Sequence, residues 1–104
     1  METLLFRFEN GQRKQPQNAQ LVGVVSSGNL EVLISAADLN DGCEIEVQTA
    51  ANGFGPIWQA VMRDFQARWN LADTRIQIND MGATPAVVSL RLDQAVEAYL
   101  EGKA

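Results

Sequence analysis

Four segments in the first half of the chain have the hydrophobic pattern of β-strands. In "TLLFRF", residues 3–8, and in "CEIEVQT", residues 43–49, one set of alternate positions is apolar or small, which predicts strands with one buried face. Between them, "QLVGVVS" and "LEVLIS" are more continuously apolar, so we expect these two strands nearer the middle of a sheet. The residues predicted to face the core are Leu4, Phe6, Phe8, Cys43, Ile45, Val47 and Thr49.

The hydrophobic period changes in the second half. Residues 57–69 carry apolar side chains at three- and four-residue steps, which predicts a helix after Pro56. "TRIQIND", residues 74–80, alternates again as a strand does. A final helix is predicted after Thr84, although "VVSLRL" also alternates like a strand. The predicted buried helix residues are Ile57, Trp58, Val61, Met62, Phe65, Trp69, Val88, Leu92, Ala95, Val96 and Tyr99.

These elements predict an α+β fold in the order β-β-β-β-α-β-α. We expect a single domain, residues 1–104, with a mixed, mostly antiparallel sheet of about five strands and two helices packed on one face. A chain of 104 residues with 46% hydrophobic residues suffices for one core and is too short for two ordinary domains. The polar segment "ENGQRKQPQNAQ", residues 9–20, predicts a surface loop.

Composition argues against several classes of partner and cofactor. Thirteen acidic and eight basic residues give a net charge of −5, whereas nucleic-acid binders concentrate Lys and Arg. No apolar run is long enough to cross a membrane and the first residues do not resemble a secretion signal, so we expect a cytoplasmic protein. With no histidine and one cysteine, a metal site or disulfide is not expected. Cys43 is predicted to be a buried structural thiol.

A self-contained hydrolytic site is also not expected. A serine or cysteine nucleophile needs a base, and the chain has no histidine and no Ser-x-x-Lys spacing. "GFGP" and "SSGN" lack the glycine spacing of phosphate-binding loops. Two carboxylate pairs, Asp38 with Asp41 and Glu44 with Glu46, are predicted to be surface charge in a turn and on a strand.

The tip of the predicted first hairpin, "SSGN", carries two adjacent hydroxyl groups. By pattern alone Ser26, Ser27, Gly28 and Asn29 are turn residues. A serine at such a tip lacks a base for catalysis, but a modifying enzyme could reach it and attach a long arm. We therefore predict that Ser27 lies in an exposed turn, between strands that end near position 25 and start near position 30.

Three segments carry a resemblance to a known family. "LVGVVSSGNLEVL", "NGFGPIWQAVMRDF" and "INDMGATPAVVSLRLDQAVE" resemble the delta subunits, or acyl carrier proteins, of malonate decarboxylase, over about residues 21–97. The resemblance implies that a serine after the valine-rich strand carries 2′-(5″-phosphoribosyl)-3′-dephospho-coenzyme A through a phosphodiester. Ser27 stands at that position, and Gly28 and Asn29 would shape the turn. No catalytic residue is implied in this chain.

Two positions depart from the family pattern. Ser26 stands where the family usually has glycine, and Asn29 stands where it usually has aspartate. The first change offers the modifying transferase a second hydroxyl, and the second removes a negative charge beside the incoming phosphate. Both residues are compatible with a tight turn.

The resemblance also implies a function and a set of partners. The terminal thiol of the arm would hold an acetyl group, which an acyltransferase subunit exchanges for malonyl and a decarboxylase subunit returns to acetyl. A further partner is the transferase that attaches the arm. Two alternatives stay open: the acyl carrier chain of citrate lyase, which uses the same group, and an unmodified scaffolding subunit. The segments "INDMGATP" and "GFGPIW" favour the first hypothesis.

Asp80, Trp58 and Trp69 are three further candidate residues. Asp80 precedes a glycine at a strand end and could contact partners, but we favour a structural strand-to-helix connection with Gly82 in the turn and Thr84 as the cap. Trp58 and Trp69 are predicted to be core or interface aromatics on a helix face.

Overall fold

The computed structural model describes residues 2–12 and 29–100, and the backbone of residues 22–26. The predicted order β-β-β-β-α-β-α is confirmed. The strands are β1 (Glu2–Phe8), β2 (Val22–Ser26), β3 (Leu30–Ala36), β4 (Cys43–Thr49) and β5 (Thr74–Asp80), and the helices are α1 (Gly55–Trp69) and α2 (Pro85–Leu100).

The five strands form one sheet in the order β1-β4-β5-β3-β2. Strands β4 and β5 are parallel and joined through α1, whereas the other three neighbouring pairs are antiparallel. The prediction of a mixed, mostly antiparallel sheet is therefore confirmed. The last strand in the sequence, β5, lies at the centre and joins the β1–β4 pair to the β2–β3 pair.

The position predicted for β2 is wrong. Its valine-rich sequence suggested a place near the middle of the sheet, but β2 pairs with β3 and lies at the edge. The physical reason is that the position of a strand in a sheet depends on which strands pair beside it, including strands that are distant in the sequence. Here β5 takes the central position, which leaves β2 with β3 as its one partner among the described strands.

One face of the sheet forms the core. Alternate residues of the strands are buried together with residues of both helices, which confirms that the two helices cover the same face. Helix α1 packs on β1, and α2 packs on β2 and β3 and against α1. The largest fully buried side chains include Ile34, Ile45, Met62, Phe65, Ile76, Leu92 and Tyr99.

The predicted apolar face of α1 is confirmed in its centre and differs at its start. Trp58, Met62 and Phe65 are buried, but Ile57 is 47% exposed. Because neighbouring helix residues differ by about 100° in direction, Ile57 and Trp58 cannot both point fully inward. Gln66 is buried instead, and its Nε2 donates a 3.0 Å hydrogen bond to the carbonyl of Leu71.

The start of α2 resolves the ambiguity in "VVSLRL". Residues 85–100 are helical, so the helical spacing of Val88 and Leu92, both buried, outweighs the strand-like alternation. The Oγ1 of Thr84 accepts a long 3.4 Å hydrogen bond from the N–H of Val87, as an N-cap residue does. The predicted cap is therefore present.

Candidate functional site

The strands on either side of the predicted attachment turn are antiparallel neighbours. Val25 pairs with Val32 and Ser26 with Glu31, so β2 ends and β3 begins close to the predicted positions. Ser26 belongs to the backbone of β2. Ser27 and Gly28 lie outside the described residues, and the attachment turn itself stays a prediction.

The chain after the attachment turn is fixed to the loop that follows β5. Asn29 is exposed, and its carbonyl accepts a 2.8 Å hydrogen bond from the N–H of Met81. The next residue, Leu30, pairs with Asp80 across the sheet. The hairpin that carries the serine pair and the β5–α2 connection therefore lie at the same end of the strands.

Asp80 organises this β5–α2 connection. Its side chain is 4% exposed. Its Oδ2 accepts a 2.8 Å hydrogen bond from Thr49, and its Oδ1 accepts hydrogen bonds from the N–H groups of Gly82 at 3.2 Å and Ala83 at 2.8 Å. Gly82 has a φ of 114°, which favours glycine. These contacts favour the structural role expected for Asp80 and Gly82 over direct contact with a partner.

A cavity of about 280 Å³ opens at the same end of the strands, between the starts of the two helices. Asp80 and Thr49, at the ends of the parallel strands, contribute its polar groups. The rim includes Phe54, which is 46% exposed, and Ile57. The apolar residues that line it include Phe54, Ile57, Trp58, Val61, Ala83 and Val88.

This cavity could not be predicted from the sequence. Its lining comes from two strand ends, two loops and two helices, which periodicity treats as separate segments. One signal was present: "GFGPIW" places three large apolar residues around the start of a helix, more than one buried face can accommodate. Trp58 lines the cavity, whereas Trp69 lies at the other end of α1, where its Nε1 donates a 2.8 Å hydrogen bond to Asp93.

Cys43 is a buried residue of the core, as predicted. Its side chain is fully shielded from solvent, and burial raises the pKa of its thiol from 9.0 to about 12. It begins β4, whereas Thr49 beside the cavity ends that strand. The thiol therefore lies at the opposite end of β4 from the cavity and the serine hairpin.

Among the described residues, neither carboxylate pair named above, Asp38 with Asp41 or Glu44 with Glu46, forms a catalytic pair. Asp38 and Asp41 are exposed. Glu44 lies on the face of the sheet opposite the helices and contacts Arg7 at 2.6 Å and Arg75 at 3.3 Å. Within the described ranges, no three His, Cys, Asp or Glu residues are grouped as metal ligands, and neither helix is long and apolar enough to span a bilayer.

A family model described as "Malonate decarboxylase delta subunit (MdcD)" matches residues 17–99. The chain is also similar to curated proteins named malonate decarboxylase acyl carrier protein. The one from Stenotrophomonas maltophilia (strain K279a) is 58% identical over 104 residues, covering 99% of this chain and 98% of the relative. The one from Xanthomonas campestris pv. campestris (strain B100) is 62% identical over 99 residues, covering 93% of each.

The fold is similar to that of a chain in a solved complex. That chain belongs to the crystal structure of a Pseudomonas malonate decarboxylase hetero-tetramer in complex with malonate. The similarity has a TM-score of 0.76 at 39% sequence identity and covers 95% of this chain and 99% of that one. Sequence and fold comparisons therefore agree over nearly the full length of the chain.

Proposed function

The chain belongs to the family of malonate decarboxylase delta subunits, and from this premise we propose that it carries acetyl and malonyl groups on an arm attached to Ser27. It is an acyl carrier subunit and not a catalytic one. The proposed arm is 2′-(5″-phosphoribosyl)-3′-dephospho-coenzyme A. The observation that supports Ser27 most directly is its position in the chain, immediately after the last residue of β2 and two residues before the exposed Asn29.

The surroundings of the hairpin are compatible with a covalently attached arm. Ser26 is paired with Glu31 in the sheet, and the start of β3 is fixed by the hydrogen bond between Asn29 and Met81. These contacts fix the residues on either side of the turn, from which an arm on Ser27 would extend. Fixed flanking residues would limit the positions that the arm must search to reach a partner's active site.

When attached, the arm would supply the thiol that forms the acyl thioester. The chain's own residues contribute position and do not contribute an acid or base, because the described carboxylates near the hairpin are already engaged. Asp80 accepts three hydrogen bonds within its loop, and Glu31 accepts a 3.2 Å hydrogen bond from Asn79. The acyltransferase and decarboxylase subunits would therefore supply the acid and base groups.

The carrier chain of citrate lyase is the alternative with the same prosthetic group. The family match and the relatives named malonate decarboxylase acyl carrier protein favour malonate decarboxylase. Because the arm would be the same in both complexes, the choice of substrate would lie in the partner subunits.

The test is co-expression with the prosthetic-group transferase and its precursor, followed by intact-mass measurement. We expect the mass to increase by one phosphoribosyl-dephospho-coenzyme A group, with no increase when the transferase is omitted. The modified chain is then mixed with the remaining malonate decarboxylase subunits, and carbon dioxide release from malonate is measured. No mass increase would support the unmodified scaffold instead, and activity only with citrate lyase subunits would support the alternative carrier.

A further inference from the structure

The cavity at the end of the strands near the serine hairpin has a size and lining suited to a small neutral group. Its volume of about 280 Å³ is slightly below the roughly 300–1,000 Å³ of pockets that take drug-sized ligands. Trp58, Val61 and Val88 give it apolar walls. Among the described residues that line it, Asp80 is the one charged group, and no Lys or Arg is present.

The cavity lies near Asn29, the described end of the serine hairpin. Asn29, two residues after Ser27, accepts the hydrogen bond from Met81, which stands between the cavity residues Asp80 and Gly82. An arm on Ser27 would start two residues from this contact, so its thioester end could fold back to the opening. The exposed side chains of Phe54 and Ile57 extend the apolar surface outward from the opening.

The two acyl groups that the arm would carry differ in charge. An acetyl thioester is small and neutral, so its transfer from water into an apolar cavity is favourable. A malonyl thioester adds a carboxylate, which loses its hydration on burial and finds no described cation in the lining. The carboxylate of Asp80 would also repel it.

We propose that the cavity holds the acetyl thioester end of the chain's own prosthetic arm and excludes the malonyl form. This inference rests on the proposed function, because it requires the arm on Ser27. The carrier would then shield the acetyl thioester from water and leave the malonyl thioester exposed. The malonyl form is the one that a decarboxylase subunit must reach.

The test uses nuclear magnetic resonance on the full-length carrier, with its arm loaded with ¹³C-labelled acetyl or malonyl and each loading verified by intact mass. In the acetyl form we expect nuclear Overhauser contacts from the acetyl methyl to Trp58 and Val88, and shifts of their signals. In the malonyl form we expect these signals to match those of the unloaded arm. Trp69 is the internal control, because it lies at the far end of α1 and should not shift.

A pair of variants checks the position of the bound group. Val61 lines the cavity and is partly buried, so Val61→Phe should fill the space and abolish the acetyl contacts to Trp58. Ala67 is exposed on the same helix outside the cavity, so Ala67→Phe should retain them. If Val61→Phe does not fold, the comparison of acetyl and malonyl forms in the unaltered chain decides.

The outcomes separate the two proposals. A missing mass increase would overturn the proposed function and with it this inference. A complete increase with no acetyl contacts in the cavity would overturn the inference alone. Equal contacts from acetyl and malonyl groups, or shifts that extend equally to Trp69, would also overturn it.

Discussion

The hydroxyl of Thr49 donates a 2.8 Å hydrogen bond to Oδ2 of Asp80, and both side chains are buried. The two residues end β4 and β5, the parallel pair at the centre of the sheet, where they are directly paired. Through its other oxygen, Asp80 holds the N–H groups of Gly82 and Ala83. This one carboxylate therefore links the sheet to the connection that positions α2 and the cavity wall.

We expect Asp80→Ala to lower the free energy of unfolding by about 2–3 kcal/mol, because the substitution leaves hydrogen-bond donors of Thr49, Gly82 and Ala83 without their acceptor. Asp80→Asn should cost less, since its amide oxygen can still accept from the loop. Urea denaturation followed by circular dichroism measures both. The exposed Asp38 is the control, and Asp38→Ala should change stability by less than about 0.5 kcal/mol. Equal effects at both positions would contradict the structural role of Asp80.

Gly11 is the second position at which a small change should have a large effect. A Cβ atom on Gly11 would overlap the carbonyl oxygen of Leu71 and lie 2.6 Å from the carbonyl carbon. The backbone there is held by a 2.8 Å hydrogen bond from Gly11 to Asp41. We expect Gly11→Ala to cost about 1–3 kcal/mol in the free energy of unfolding, because the β1 connection must move away from Leu71.

Gly55 provides a matched control for Gly11. Outside its chain neighbours, the nearest atom to a Cβ at Gly55 is Cδ2 of Leu4 at 3.9 Å, an ordinary contact. Gly55 begins α1 and precedes Pro56, whose ring disfavours the helical conformation for a residue with a Cβ, so Gly55→Ala should cost stability, but less than Gly11→Ala. Thermal and urea denaturation of both variants test the pair, and a Gly11→Ala protein as stable as Gly55→Ala would refute the close approach to Leu71.

The sequence could predict the elements because their signals are local. The alternation in residues 43–49 and 74–80 is continuous, and each strand has those bounds in the structure. The place of β2 at the sheet edge depends instead on β5, which lies beyond α1 in the chain and takes the position beside β3. Local hydrophobicity cannot encode that choice of neighbour.

The site divides in the same way. The buried position of Cys43 follows from a short alternating pattern, whereas the turn at Ser27 stays a prediction. A structural role for Asp80 could be predicted, but its hydrogen bond with Thr49, 31 residues away, could not. The cavity likewise requires the starts of both helices to meet the ends of β4 and β5. Features that are formed by contacts between segments distant in the sequence can be identified only in the folded structure.

Cys43 provides a prediction about pH. Burial raises the pKa of its thiol to about 12 from 9.0, so between these values the folded state retains a proton that the unfolded state has released. The free energy of unfolding should therefore fall as pH rises from about 9 towards 12, and the part due to Cys43 is fully present below about pH 9. Urea denaturation at pH about 8 and about 10.5 measures it, and the decline should be smaller in Cys43→Ala.

The same variant separates the buried thiol from acyl transfer. Cys43→Ala should cost at most about 1–2 kcal/mol as a small truncation in the core and should leave acyl loading unchanged. In the native protein, iodoacetamide should label Cys43 much more slowly than in urea, because the thiol is buried and protonated. Loss of acyl loading in a well-folded Cys43→Ala protein would contradict the assignment of the reactive thiol to the arm.

The choice between Ser26 and Ser27 is the sharpest test of the proposed attachment site. Ser26 is the last residue of β2 and is paired with Glu31, so the transferase would have to reach the hydroxyl of a residue whose backbone is held in a formed strand. Ser27 is followed by Gly28, whose backbone freedom leaves room for a bulky substrate. We expect Ser27→Ala to abolish attachment of the arm while keeping the fold, and Ser26→Ala to retain attachment.

Both variants are co-expressed with the transferase and its precursor, and intact mass and peptide fragments locate the added group. Circular dichroism verifies that each variant folds. Ser26→Gly is an additional control, because it introduces the glycine that the family resemblance predicts at this position and should be modified at least as completely as the unaltered chain. Attachment that survives in Ser27→Ala but disappears in Ser26→Ala would identify Ser26 as the carrier residue, because the strand end would then be open to the transferase.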